Sequence, residues 1–406
     1  MEFSAAVIAV TGFLFISFLL STAVGSTEDF TAVSNLRRKS PTAGLCASVI
    51  EPSGFPCSEH ITQTKDGYVL GLQRVSSSSG TVQPRASPVL LIHGLFMAGD
   101  AWFMDSPNQS LGFILADHGF DVWVGNVRGT RWSHGHVSLS VKDKKFWDWS
   151  WQELALNDLG EMIRYIYSVT NSKVFVVGHS QVILAMGIHE LNFKSNLGTR
   201  IMDMMCDGHV ECGDLLTSIT VYDGESGNQT SLVVAFQSQR GLYHLKCGGK
   251  NDDPDRWFEV SRFFFVSGKN CCFNNSRIDS YLEFEPHPTS SKNLHHLFQM
   301  IRKGTFAMYD YGMWKNMRYY SQLEPPVFEL RSIPSSLPIW MGYGGNDALA
   351  DVSDVKHMLK ELPLKPNLLY LENYGHIDFL LSVKSKEDVY DSMLAFFSSL
   401  GRSSSY

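Results

Sequence analysis

Positive charge is in short supply. The chain sets 34 lysines and arginines against 41 aspartates and glutamates, a formal net charge of −7, so no basic surface offers itself to nucleic acid or anionic lipid. Charged residues make up only 18% of the chain and hydrophobic ones 44%, which excludes the apolar-poor, highly charged composition of a disordered protein. The 33 glycines and 15 prolines are scattered, without the period of collagen or of a low-complexity tract. The 7 cysteines include no C-x-x-C pair, and no His/Cys cluster has zinc spacing, so neither a metal nor another cofactor is expected. The N-terminal apolar run, Ala5–Leu20, is 16 residues long and interrupted by Thr11, Gly12 and Ser17, short of the roughly 20 residues a membrane-spanning helix requires.

What is present at the N-terminus reads as an address. A short apolar run followed by the small residues Ala23-Val24-Gly25 describes a signal peptide over residues 1–25, although Glu2 stands where a basic residue is usual; an uncleaved anchor is the alternative. Three N-x-S/T sequons, at Asn108, Asn228 and Asn274, fit a secretory route as glycosylation candidates. In an oxidising compartment Cys46–Cys57 and one pair among Cys206, Cys212, Cys247, Cys271 and Cys272 are candidate disulfides, with free buried thiols as the alternative.

Strands and helices alternate at both ends of the chain. Tyr68–Val75, Pro88–Ile92, Phe120–Val127 and Val174–Val177 read as strands, and Leu156, Leu159, Ile163 and Ile166 form the stripe of a helix lying on a sheet. Towards the C-terminus come a strand at Pro338–Tyr343, a helix at Ser353–Leu362 and a strand at Leu368–Leu371. A closing helix starts at a Ser385 N-cap, with Asp388 three residues on, and stops near Gly401. Such alternation builds a mostly parallel sheet covered by helices on both faces, an α/β fold. The middle, roughly residues 183–325, lacks the alternation and reads as an inserted region.

The chemistry is carried by Val177-Gly178-His179-Ser180-Gln181. An apolar strand running into Gly-x-Ser describes a nucleophile elbow, a sharp turn that pushes the serine Oγ out over the sheet edge. Alone, Gly-x-Ser is more often an ordinary strand-end turn; the rest of the constellation changes that balance. A serine needs a histidine to take its proton, and the imidazolium needs a carboxylate to orient and stabilise it. Asp347 follows one C-terminal strand through Gly344-Gly345-Asn346, and His376 follows the next through Tyr374-Gly375. Ser180 is thus the expected nucleophile, His376 the general base and acid, and Asp347 its carboxylate partner. The oxyanion hole needs two backbone N–H groups, for which Gln181 and Leu95 of His93-Gly94-Leu95 are the candidates.

With these residues in view, the chain resembles the acid-lipase-type α/β-hydrolases, above all plant triacylglycerol lipases. The matching stretches are TKDGY at 64–68, HGLF at 93–96, GNVRGT at 125–130, WDWS at 147–150, HLFQMIRKGTFAMYDYG at 296–312, GGND at 344–347 and YGHIDF at 374–379. The resemblance implies hydrolysis of neutral lipid esters at a lipid–water interface by a Ser-His-Asp triad under a mostly helical cap, with no metal. It divides the chain into a core at 26–182, a cap at 183–325, a second core part at 326–400 and a tail at 401–406. The compartment implied is the secretory route, ending outside the cell or in a vacuolar or lysosomal lumen. Trp147, Trp149 and Trp151 read as core aromatics rather than a lipid-binding stripe.

Two departures interrupt the match. Val182 stands where the family pattern Gly-x-Ser-x-Gly has glycine, and Val182-Ile183-Leu184 runs almost at once into cap-like sequence. A helix and strand of about 25–30 residues with their loops are missing between them. Val221–Ser267 matches nothing in the family and ends in Phe263-Phe264-Phe265-Val266-Ser267, which a splice-acceptor sequence can encode; it reads as a retained intron, and the gap as a skipped exon. The competing readings are therefore an inactive, aberrantly spliced hydrolase variant and a hydrolase-fold receptor for a small ligand.

Overall fold

The computed structural model describes residues 44–79, 87–180 and 270–403. The signal segment, Gln181, Val182, Cys206, Cys212, Cys247, the Asn228 sequon and the Val221–Ser267 insert lie outside them.

The N-terminal half is a six-stranded sheet. β1 (Cys57–Gln63) pairs antiparallel with β2 (Tyr68–Val75), and β2 pairs antiparallel with β4 (Asp121–Gly125) and with the short β5 (Gly135–His136). β3 (Pro88–Ile92) lies parallel to both β4 and β6 (Phe175–Gly178), giving the order β1-β2-β4-β3-β6. The Cys46–Cys57 disulfide ties the helical turn Cys46–Ile50 to the first residue of β1. A second pair joins the neighbours Cys271 and Cys272.

Alternation within single strands makes the layers. In β3, Val89 and Leu91 enter one core while Leu90 and Ile92 enter another; in β4, Val122 and Val124 take the first and Trp123 the second. Successive side chains point to opposite faces of a strand, so both faces of this sheet are covered. One cover is α1 (Leu111–Asp117) with α8 (Asp391–Ser403); the other is α2 (Gly160–Thr170) with Phe146, Trp147 and Trp149. All three tryptophans at 147, 149 and 151 are buried core residues.

Between these helices in the chain come α3 (Ile278–Phe284), α4 (Ser291–Lys303) and α5 (Met313–Tyr320). Ser290 starts α4 as a true N-cap, its Oγ accepting from the N–H groups of Lys292 and Asn293 while donating to Trp147 O. Beyond it, β7 (Trp340–Gly344) and β8 (Asn367–Leu371) form a separate two-stranded parallel sheet joined by α6 (Val352–Glu361). A one-turn helix α7 (Asp378–Leu381) precedes α8. No helix among the described residues is long and apolar enough to cross a membrane.

The strand expected at Phe120–Val127 ends at Gly125, because Asn126 turns away to bond Gly71 O and Gln73 Oε1. The one expected from Pro338 begins at Trp340, after a turn closed by Leu337 N–H on Pro334 O. Asp351 caps α6, accepting from Ser353 N–H. Ser385 does not cap with its side chain; its Oγ donates to Ser382 O, and the helix runs past Gly401 to Ser403. Of the expected apolar stripe, Leu159, Ile163 and Ile166 face the core as expected, whereas Leu156 is exposed. The cause is a π-helical stretch, Leu154–Leu159, whose wider turn shifts the phase of the residues before it relative to those after.

Candidate active site

Ser180 follows the last residues of β6 and takes a φ of +59°. A left-handed conformation is uncommon for a residue with a Cβ and is held only where surrounding structure over-determines it; it is the conformation of the expected elbow. The surroundings are close. A Cβ on Gly94 would lie 2.8 Å from Ser180 Cβ, so only glycine lets the loop after β3 approach the serine.

That loop is fixed by His93. Its Nε2 accepts from Val127 N–H at 3.2 Å, and Nδ1 faces Gly94 O at 2.9 Å. An acceptor at Nε2 leaves the proton on Nδ1 as the donor to Gly94 O. Burial pushes the imidazole down to about 4, so it is neutral near pH 7. Leu95, next in the loop, forms no backbone hydrogen bond through its N–H among the described residues.

Asp347 and His376 meet from the loops after β7 and β8. His376 Nδ1 lies 2.9 Å from Asp347 Oδ2 and 3.1 Å from Oδ1, and both residues are buried. Oδ1 also accepts from the N–H groups of Leu349 and Ala350 at 2.8 Å each. Burial acts to raise this carboxyl, but the His376 imidazole and the two N–H groups outweigh it and hold Asp347 below the usual carboxylate range. An ionised Asp347 makes Nδ1 the donor and leaves Nε2 as the basic atom. His376 Nε2 is buried with no hydrogen-bond partner among the described residues; the bond to Ser180 Oγ is not formed. Such bonds are often long in unliganded sites and tighten around substrate.

The two halves are joined instead through His179. Its Nε2 donates to His376 O at 3.0 Å, and the two rings lie 4.8 Å apart. Burial, with the His376 imidazole adding to it, pushes His179 down to about 3, which keeps it a neutral donor.

The residues that hold these loops lie outside the catalytic motifs. Asp378 accepts from the N–H groups of Gly375 at 2.7 Å, Cys271 at 3.0 Å and Cys272 at 3.4 Å, and Asn270 Oδ1 accepts from Ile377 N–H. The segment carrying the Cys271–Cys272 pair thus braces the turn that presents His376. Arg128, buried against Asp158 and Asp66 and stacked 3.8 Å over Tyr68, anchors the loop after β4. The motifs TKDGY and GNVRGT are therefore scaffold. Their signal in the sequence is charged residues inside apolar surroundings.

Among the described residues the group whose donor atoms come close enough together to hold an ion is Asp100, Glu285 and His287, away from the triad. A cavity of about 260 Å³ is lined by Trp340, Asn367, Leu368, Ser392, Phe396 and Ser399; no triad residue lines it. Of the sequon residues, Asn108 is exposed in a turn, and Asn274 is half-buried with its Oδ1 accepting from Ser276.

A family profile for a partial α/β-hydrolase lipase region matches residues 46–106. The chain is 48% identical to triacylglycerol lipase 1 of Arabidopsis thaliana, over 92% of this chain and 95% of the relative. It is 31% identical to gastric triacylglycerol lipase of Rattus norvegicus, over 84% and 88%. The Arabidopsis alignment extends over 421 positions, more than 92% of 406 residues can fill, so part of the relative faces gaps in this chain. A solved structure from Sulfolobus solfataricus, assigned as a lipase, shares the fold with a TM-score of 0.52 at 13% identity, covering 86% of this chain and 95% of that one. The chain belongs to the α/β-hydrolase lipases, carboxylic ester hydrolases of the triacylglycerol-lipase type.

Proposed function

We propose that this protein hydrolyses neutral lipid esters of the triacylglycerol type through an acyl-enzyme on Ser180. His376 Nε2 takes the Ser180 proton as Oγ attacks the ester carbonyl, and returns it to the departing alcohol. Water then attacks the acyl-enzyme by the same proton route. Asp347 stabilises the imidazolium, and the N–H groups of Leu95 and Gln181 receive the oxyanion. The observation that carries this reading is the 2.9 Å His376–Asp347 bond between adjacent strand-end loops, beside a serine held at positive φ. The names of the relatives support a lipid ester as substrate; action at a lipid–water interface, and a secreted or lumenal protein bearing glycans at Asn108, Asn228 and Asn274, are part of the same proposal and rest on the sequence motifs. Core strands at both ends with helices between them support the division into a core at 26–182 and 326–400 and a cap at 183–325. Phosphonate labelling and ester hydrolysis by the purified protein, with Ser180→Ala as the control, test the reading; labelling that survives the substitution would exclude it.

A second reading, a catalytically impaired variant, is favoured by one observation. Among the described residues, β6 has no strand partner beyond β3, and β7 none besides β8. A parallel sheet whose next strand is absent leaves an unpaired edge and poorly covered apolar faces. That agrees with the missing helix and strand after Gln181 and with the gapped alignment. An insoluble or inactive wild-type chain, with transcript reads that omit Val221–Ser267 and restore sequence after Gln181, would establish it.

A further inference from the structure

A buried polar cluster outside the triad joins the loop after β3 to the segment before α4. Asp100, Glu285 and His287 come from two stretches of chain, and their donor atoms lie within 4.8 Å of one another. All three are buried. His287 Nδ1 accepts from Arg131 N–H at 3.3 Å, so the ring proton is on Nε2 and is donated to Asp100 Oδ2 at 2.8 Å. Trp132 Nε1 donates to the same oxygen at 3.3 Å.

The remaining atoms do not close. Asp100 Oδ1 and both Glu285 carboxyl oxygens are buried without a hydrogen-bond partner among the described residues. Two ionised carboxylates left this way would each carry the cost of an unpaired buried charge, and they would repel one another. A single proton resolves both problems: a neutral Glu285 donates its O–H to Asp100 Oδ1, which then has three donors on one carboxylate. Burial, followed by the charge of Asp100, pushes Glu285 well above the usual carboxylate range, with Arg131 and the nearby N–H groups of Ala98 and His287 opposing only in part. The other titratable or charged groups facing the cluster are His93, which is neutral, and Arg131, whose guanidinium donates to the carbonyls of Glu283 and Pro286.

The cluster grips the loop that carries Leu95. His287 N–H donates to Phe96 O at 2.7 Å, Phe96 is held at a φ of +60°, and Asp100 lies in the helical turn Gly99–Trp102 that ends the loop. We propose that Glu285 and Asp100 share a proton, and that with His287 they act as positioning residues fixing the Leu95 N–H in the oxyanion hole. The positioning role rests on the oxyanion reading of Leu95; the shared proton does not. The neutral form is the one that fits, so its contribution to stability is complete below the pKa of an unfolded glutamate and is lost as pH rises through the folded value. An oxyanion donor acts in the transition state, so its misplacement lowers kcat and leaves KM in place.

The test uses the full chain with Glu285→Gln, which keeps a neutral donor, and Glu285→Leu, which removes it. Infrared difference spectra of wild type against Glu285→Gln at pH 6 should show the carbonyl stretch of a protonated carboxyl. With a short-chain ester, Glu285→Gln should keep kcat within about threefold and lose the alkaline decline of the wild type. Glu285→Leu should lose kcat by about 10²-fold, the effect of one oxyanion donor, with KM unchanged. Absence of the carboxyl band, one tightly held equivalent of a divalent metal by elemental analysis, or a Glu285→Gln variant as damaged as Glu285→Leu would overturn the proposal. If wild type shows the band but takes no phosphonate label, the oxyanion role falls together with the triad, while the shared proton stands.

Discussion

The two sheets are made from similarly apolar strands and are covered very differently. Every residue of β3 is buried, whereas β8 leaves Leu368 and Tyr370 at 47% and 48% exposure, and β6, at the border of the first sheet, leaves Val176 at 40%. An apolar run in a parallel sheet belongs to a strand covered on both faces. The run states what a strand is made for; its neighbours decide whether it gets it. The proposed catalytic groups divide along the same border. Asp347 and His376 come from β7 and β8, which pair with each other, and their bond is formed. Ser180 comes from β6, which pairs with neither, and its bond to His376 is not. α8 packs against both sides: Phe397 stacks on Phe175 of β6 at 4.7 Å, and Ser392 Oγ accepts from Trp340 Nε1 of β7 at 3.2 Å.

The comparison breaks first at the triad. Ser180→Ala, His376→Ala and Asp347→Asn should each lower kcat by about 10³-fold or more, and Ser180→Ala/His376→Ala should be little worse than either single variant. Additive losses in ester hydrolysis would mean that the two sheets do not share one site. Next, restoring a helix–strand unit between Gln181 and the cap should raise soluble yield and esterase activity by orders of magnitude, as correct placement of a nucleophile does. Val182→Gly alone should not, because one side chain cannot pair a strand edge. Equal recovery from both would show that the border is harmless.

Stability sharpens the comparison further. Leu91→Ala in β3 should cost about 2–5 kcal/mol in a denaturant titration, whereas Leu368→Ala in β8 should cost under about 1 kcal/mol, since a half-exposed side chain leaves little cavity. Equal costs would show that β8 is covered after all. The smallest effect belongs to Asp351→Ala at the start of α6. Loss of this cap should cost about 1 kcal/mol and leave kcat within about twofold, since Asp351 touches neither His376 nor Ser180.

Much of the site was legible in the chain because strand-end chemistry is local. The run Val174–Val177 ending in Gly-His-Ser, the Gly-Gly-Asn-Asp turn and the Tyr-Gly-His turn each lie within a few residues of a strand, so order and spacing alone place Ser180, Asp347 and His376. The Cys46–Cys57 pair closes across a short loop for the same reason. What supports those turns could not be read this way. Asp378 reaches back 107 positions to Cys271, His179 meets the His376 carbonyl from 197 positions away, and the Glu285–Asp100–His287 cluster joins segments 187 positions apart. The exposure of Leu156 was also not legible, since the π turn that contains it leaves no mark in a period-3.6 pattern.

By itself, then, the sequence determined the layer type, the approximate strand bounds and the candidate reacting groups, because side-chain alternation and turn chemistry act over a few residues. The tertiary structure alone decided which strands are neighbours and which buried carboxyls are paired. Those depend on contacts across scores of residues, and on whether an apolar edge finds a partner to cover it.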